Sequence, residues 1–185
     1  MNSPLHILIV EDSEDDLLLL IRELCRGGYT PDYVRVETAA QMQAALDRQL
    51  WDLVIADYTL PQFSAPGALQ LLQSQQRDLP FIIVSGTIGE EAAVAAMRAG
   101  AHDYLLKDNL ARLVPAVERE LREARERQKR LDAEQALRES EERFRQLAEN
   151  ITESVFWMSD PTAMEMLYVS PAYERIWGRA CASLY

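Results

Sequence analysis

Leu5-His6-Ile7-Leu8-Ile9-Val10, followed at once by Glu11-Asp12, is the stretch that decides the fold. Six residues rich in branched apolar side chains have the length of a buried strand, and the two acids end it. The pattern recurs along the chain. Trp51-Asp52-Leu53-Val54-Ile55-Ala56 ends at Asp57, Pro80-Phe81-Ile82-Ile83-Val84 at Ser85-Gly86, and Asp103-Tyr104-Leu105-Leu106 at Lys107. A shorter strand, Tyr33-Val34-Arg35-Val36, stands second in order. Between the strands lie helical spacings. Leu17, Leu20, Ile21 and Leu24 fall on one face of 16–26, which Gly27-Gly28 closes. Thr38 is placed to cap a helix carrying Met42, Leu46 and Leu50; 66–73 and the Ala-rich 90–99, closed by Gly100, complete the set.

Strands alternating with helices of this length predict βαβ units and a parallel sheet. Right-handed crossovers leave few topologies. The first 108 residues therefore predict an α/β, doubly wound, flavodoxin-like five-stranded sheet in the order 2-1-3-4-5, with ligands expected at the carboxyl ends of the strands.

From Asn109 the composition turns to Glu, Arg, Gln, Ala and Leu, and no Gly or Pro falls between Pro115 and Pro161. Val114, Val117, Leu121, Ala124 and Leu131 keep a heptad spacing, with Gln128 on the same seam. Leu137, Phe144, Leu147 and Ile151 resume it in another phase, so a register break is expected near 133–137. A long polar helix over 109–150 has two outlets: a coiled coil with a second copy, which makes the protein a homodimer, or packing against its own domain. Beyond it, Ser154–Met158 and Met166–Val169 read as strands, and Pro171 opens a short helix through Tyr173, Ile176 and Trp177. This stretch is too small to bury a core of its own.

The 185 residues carry a net charge of -11, which argues against a nucleic-acid-binding surface, since phosphate contacts need clustered cations. No apolar run approaches the ~20 residues of a membrane span, and the start has no signal-peptide pattern, so a cytoplasmic location is expected. Cys25 and Cys181 lack metal-ligand spacing and read as reduced thiols.

In a parallel sheet the polar groups that follow four strands gather on one edge: Glu11, Asp12, Asp57, Ser85 and Lys107. Taken singly, each is an ordinary turn or cap residue; the joint pattern is the signal. Three carboxylates brought together repel one another, and an open oxygen-only site suits magnesium. Asp57 can then act as a nucleophile toward a phosphoryl donor, with Lys107 offsetting charge on the transferring oxygens and Ser85 hydrogen-bonding the bound group.

Residues 5 to about 125 resemble the receiver domain of bacterial response regulators. The matching motifs are Glu11-Asp12, Asp57 with Pro61 four residues on, Ser85-Gly86, and Tyr104-Leu105-Leu106-Lys107. The resemblance implies a receiver domain over 1–125 and phosphorylation of Asp57 by a cognate histidine kinase or phosphotransfer protein. It implies Mg2+ held by Asp12, Asp57 and the main-chain carbonyl of Thr59, with Glu11 acting through water. It also implies a switch formed by Ser85 and Tyr104. Two positions depart from the family pattern. Asp108 replaces the Pro that follows the Lys, so the Lys107-Asp108 peptide is either trans or strained. Ala65 replaces a Gly eight residues past the acceptor, so the 58–67 loop is expected to follow its own path.

Glu141–Asn150, Val155–Asp160 and Tyr168–Tyr173 resemble the start of a PAS sensory domain, so 151–185 is expected to be an N-terminal fragment of one, with no assignable cofactor. The resulting expectation is a receiver joined by helix 109–150 to a PAS module and to an output, a sensor kinase or a GGDEF/EAL-type cyclic-di-GMP enzyme, beyond Tyr185. The alternatives are a pseudo-receiver interaction module, or an aspartyl-nucleophile phosphohydrolase, for which Thr59 stands where the acid–base Asp would be needed. No kinase or cyclase centre is visible, so the fragment is expected not to be an enzyme beyond its own phosphotransfer.

Overall fold

The computed structural model describes residues 3–86, 90–151, 153–162 and 165–184. The chain divides into two compact units, 1–127 and 128–185. In the first, β1 (Ser3–Val10), β2 (Tyr29–Val36), β3 (Leu53–Asp57), β4 (Phe81–Ser85) and β5 (Asp103–Leu106) form one parallel sheet in the order β2-β1-β3-β4-β5. Helices α1 (Glu14–Arg26), α2 (Ala39–Arg48), α3 (Ala65–Ser74) and α4 (Glu90–Arg98) connect the strands. This is the flavodoxin-like α/β fold that the strand pattern predicts.

Side-chain alternation divides the sheet into two cores. Ile7, Ile9, Leu53, Ile55, Ile82, Val84 and Leu105 pack with Leu17, Leu20 and Leu24 of α1 on one face. Leu8, Val10, Val54, Ala56, Phe81 and Ile83 pack with α2 and α3 residues such as Met42, Leu46, Leu69 and Leu72 on the other. The central residues of β1, β3 and β4 are thus apolar on both faces because both neighbouring layers are helical. Each fully buried Leu or Ile contributes roughly 1.5–3 kcal/mol.

Local chemistry sets the helix starts. Ser13 Oγ accepts from Asp16 N–H at 3.3 Å and Thr38 Oγ1 from Gln41 N–H at 3.3 Å, so both caps satisfy a donor that the first turn leaves free. β2 begins four residues before the expected Tyr33 and carries Pro31 within it. A proline lacks a ladder donor, but β2 is an edge strand and tolerates one.

Lys107–Arg112 forms a 3-10 turn, with Asn109 at φ -131 and ψ 53, so the last helix starts at Leu113 and not at Asn109. No peptide bond is cis among the described residues, and Lys107-Asp108 is accordingly trans. Helix α5 (Leu113–Asn150) commits its first turns to its own domain: Leu113, Ala116, Val117 and Leu121 are buried on the α1 face of the sheet. Val117 and Leu121 of the anticipated seam are therefore core residues, as the second outlet for this helix required. Farther along, Leu131, Leu137, Phe144 and Leu147 are all more than half exposed.

Gly27 ends α1 against Val114 of α5. A Cβ on Gly27 would lie 2.5 Å from Val114 Cγ2 and 2.6 Å from Cγ1. Gly27→Ala should cost about 1–3 kcal/mol by overpacking. Adding Val114→Ala should restore most of it, a pairing that urea denaturation of the single and double variants measures.

The second unit holds a two-stranded antiparallel ladder, β6 (Trp157–Ser159) with β7 (Met166–Val169), and helix α6 (Ala172–Trp177), ended by Gly178 at φ 65. The strand anticipated over 154–158 is shorter and starts later. Phe144 meets Tyr168 edge-on at 5.7 Å, and Tyr173 meets Trp177 at 5.0 Å. Trp157 and Trp177 remain largely exposed.

Candidate phosphoacceptor site

Sheet register assembles the site. Val10 pairs with Ala56, Asp57 with Val84, and Ser85 with Leu106. Glu11, Asp57, Ser85 and Lys107 thus leave four adjacent strands at nearly one level. Lys107 Nζ donates to Glu11 Oε2 at 2.9 Å and to Asp57 Oδ2 at 2.9 Å. A third bond runs to Asp16 Oδ2, on the first turn of α1. The ammonium has three donors, and all are engaged.

Glu11 is almost completely buried. Burial raises its carboxyl above the ordinary range; Lys107 and the Ser13 N–H, which donates to Oε1 at 3.0 Å, oppose the rise, and Asp57 adds to it. Burial also works to lower the Lys107 pKa. The bonds from Asp16, Asp57 and Glu11 outweigh it, and the amine stays well above the usual lysine value. Asp57 is fixed at both oxygens, since Thr59 N–H donates to Oδ1 at 3.2 Å. Asp12 is exposed at the rim, its carbonyl accepting from Arg35 Nη1 at 3.4 Å. It also borders a cleft of about 90 Å³ lined by Glu37, Leu60, Pro61 and Gln62.

Glu11, Asp12 and Asp57 each bring a carboxylate oxygen within 4.8 Å of the others. Three carboxylates, Asp16 included, bind one ammonium, and Asp12 brings a fourth beside Glu11 and Asp57. That excess of hard anionic oxygens, with Asp12 open to solvent, fits a divalent cation of the magnesium type.

Ser85 is buried at the end of β4. The Tyr104 ring packs against the α2–α3 core and its hydroxyl is enclosed. Among the described residues no hydrogen bond reaches that oxygen, although Ser85 is near enough to act on it. Burial raises the phenol pKa, Ser85 lowers it, and Asp57 and Tyr58 raise it further. In the 58–67 segment Leu60 and Phe63 are buried and Ala65, the first residue of α3, is fully enclosed, so a Cβ is accommodated there.

The chain matches the family model of the response regulator receiver domain over residues 7–118. It belongs to the response-regulator receiver family. Among curated relatives, the response regulator FleR of Pseudomonas aeruginosa is 33% identical over 106 residues, covering 57% of this chain and 22% of FleR. The transcriptional regulatory protein GlrR of Escherichia coli K12 is 30% identical over 135 residues, 66% of this chain and 30% of that protein. The chain thus spans less than a third of the length of either relative. The signal receiver domain of a LuxO repressor protein from Vibrio parahaemolyticus superposes with a TM-score of 0.60 at 27% identity, over 68% of this chain and 95% of that domain. NtrX from Brucella abortus gives 0.62 at 27% identity, over 72% of this chain and 30% of NtrX.

Receivers of this family serve two-component systems, take phosphoryl groups from histidine kinases or phosphotransfer proteins, generally bind Mg2+ at an acidic pocket, and are not generally enzymes. Among the described residues no helix is long and apolar enough to cross a membrane. Glu11, Asp12, Asp57 and Lys107, singled out in the sequence, lie together here; Asp16 was not singled out, and its contact with Lys107 spans 91 positions.

Proposed function

We propose that this chain is the phosphoacceptor of a phosphorelay, with Asp57 the residue that carries the phosphoryl group. The observation behind it is the engagement of Asp57 Oδ2 by Lys107 beside Glu11 and Asp12. In the transfer, a carboxylate oxygen of Asp57 forms a bond to phosphorus as the P–N bond to the donor histidine breaks, and the departing imidazole nitrogen takes a proton. Asp12, Asp57 and the Thr59 main-chain carbonyl, with Glu11 acting through water, would hold Mg2+, which would neutralise phosphoryl charge when bound. Lys107 donates to a phosphoryl oxygen, the Thr59 N–H keeps Asp57 aligned, and the Ser85 hydroxyl hydrogen-bonds the group once attached. Ser85 and Tyr104 form the switch, because a phosphoryl oxygen that draws the serine changes what the tyrosine hydroxyl faces.

Thr59 offers no acid–base group two residues past Asp57, which disfavours steady phosphohydrolase turnover, and the intact acidic site disfavours a pseudo-receiver. Domain 1–125 is the receiver, 109–150 the signalling helix and 151–185 the start of a PAS module. The signal passes through paired α5 helices to that module and to a kinase or cyclic-di-GMP output farther along the protein, in the cytoplasm.

Two measurements test these proposals. Intact-mass spectrometry after treatment with acetyl phosphate and magnesium should show one added phosphoryl group; its absence refutes Asp57 as acceptor. Sedimentation should give a dimer that Leu131→Glu with Leu137→Glu converts to monomer while phosphorylation persists. A wild-type monomer refutes the paired-helix relay.

A further inference from the structure

We propose that Asp16 is a positioning residue for the phosphoryl transfer at Asp57, occupying a donor of Lys107 that the incoming group must win. The proposal rests on the Asp57 reading. Asp16 is the third residue of α1, behind the cap Ser13. An acid at that place ordinarily turns back to the backbone N–H of the cap. Here Glu11 Oε1 already holds the Ser13 N–H at 3.0 Å, so the Asp16 carboxylate is left to reach Lys107. Its own N–H, bound by Ser13 Oγ, fixes the turn that aims it.

The three acceptors on Lys107 are not equivalent. Glu11 and Asp57 belong to the trio whose oxygens converge within 4.8 Å, and Asp16 stands outside it. The side chain of Asp16 is 33% exposed, against 1% for Glu11 and 11% for Asp57. With every Lys107 donor engaged, a phosphoryl oxygen can receive one only if an acceptor lets go. Asp16 is the acceptor that water resolvates most readily, and its release leaves the trio intact. Its charge also repels the phosphoryl oxygens directly. Asp16 therefore holds the ammonium in place in the resting state and restrains loading of the site.

The test compares wild type, Asp16→Asn and Asp16→Glu in the full chain at saturating magnesium. Removing the charge while keeping the shape should lower the saturation constant for acetyl phosphate about three- to tenfold, the worth of a half-exposed charged hydrogen bond. The dissociation constant of beryllofluoride, followed by intrinsic fluorescence, should fall by a similar factor. Asp16→Glu, which restores a carboxylate, should return both toward wild type. If Asp16 only caps the helix, neither constant moves, and that result, or weaker binding in Asp16→Asn, overturns the inference. A wild type that is phosphorylated normally beside an unchanged Asp16→Asn removes this inference alone. A wild type that takes up no phosphate removes the Asp57 reading as well.

Discussion

Asp57→Asn should reduce phosphate incorporation from acetyl phosphate to background while leaving the fold intact. An amide oxygen carries no full charge and is a far weaker nucleophile, so no bond to phosphorus forms at this position. The substitution also relieves crowding. Three carboxylates hold one ammonium with Asp12 beside them, and removing one reduces their mutual repulsion while Glu11 and Asp16 still hold Lys107. The melting temperature should therefore stay level or rise, and the Thr59 N–H can still bond the remaining carbonyl oxygen. Mass spectrometry and thermal denaturation on one preparation distinguish this outcome from simple unfolding. Incorporation that survives at the wild-type level would mean that phosphate lands elsewhere.

Lys107→Met should have the next largest effect, and on two quantities at once. Loss of a cation aimed at developing charge slows such transfers by about 10²–10³-fold. Stability should fall as well, because buried Glu11 and Asp57 lose their shared counter-charge. Breaking a buried pair costs about 3–5 kcal/mol; the lower end applies here, since Asp16 and Lys107 keep some contact with water.

The pH dependence separates the two residues. A lysine whose folded pKa is raised stabilises fully below its free value of about 10.4, and that contribution is lost only as pH climbs through the folded value. Wild type should show no loss from this source near neutrality. Glu11, raised by burial, works against folding as pH rises through its folded pKa. Without Lys107 that rise is larger, so the variant should regain stability as pH falls from neutrality toward the ordinary glutamate range. Added magnesium should restore part of the loss at neutral pH. Urea titrations across that range would expose the error if the variant instead weakened on acidification.

The parts of the fold written in short-range pattern were readable before any coordinates. Ile7, Leu8, Ile9 and Val10 spell a two-faced strand because both faces of the sheet are covered, and the polar residues after each run fall where chains leave a parallel sheet. What escaped depended on competition between distant groups. Asp16 looked like another acid in a first helical turn, and only the capture of the Ser13 N–H by Glu11 sends it to Lys107. Pro31 hid the first half of β2, since a proline counts against a strand until its edge position is known. The first part of the seam on α5 has a partner that spacing alone did not name. Heptad spacing records an apolar stripe but not its partner, and Val117 and Leu121 face the sheet of their own domain.

The bonds converging on Lys107 bridge 96, 91 and 50 positions of the chain. No fragment ending before the fifth strand can possess this chemistry, and contacts of such separation form late in assembly. Readiness to accept phosphate is thus a property of the finished molecule, which makes a phosphodonor a sensitive reporter of folding. During synthesis, the protein stays deaf to its signal until the ribosome has released its chain past Lys107.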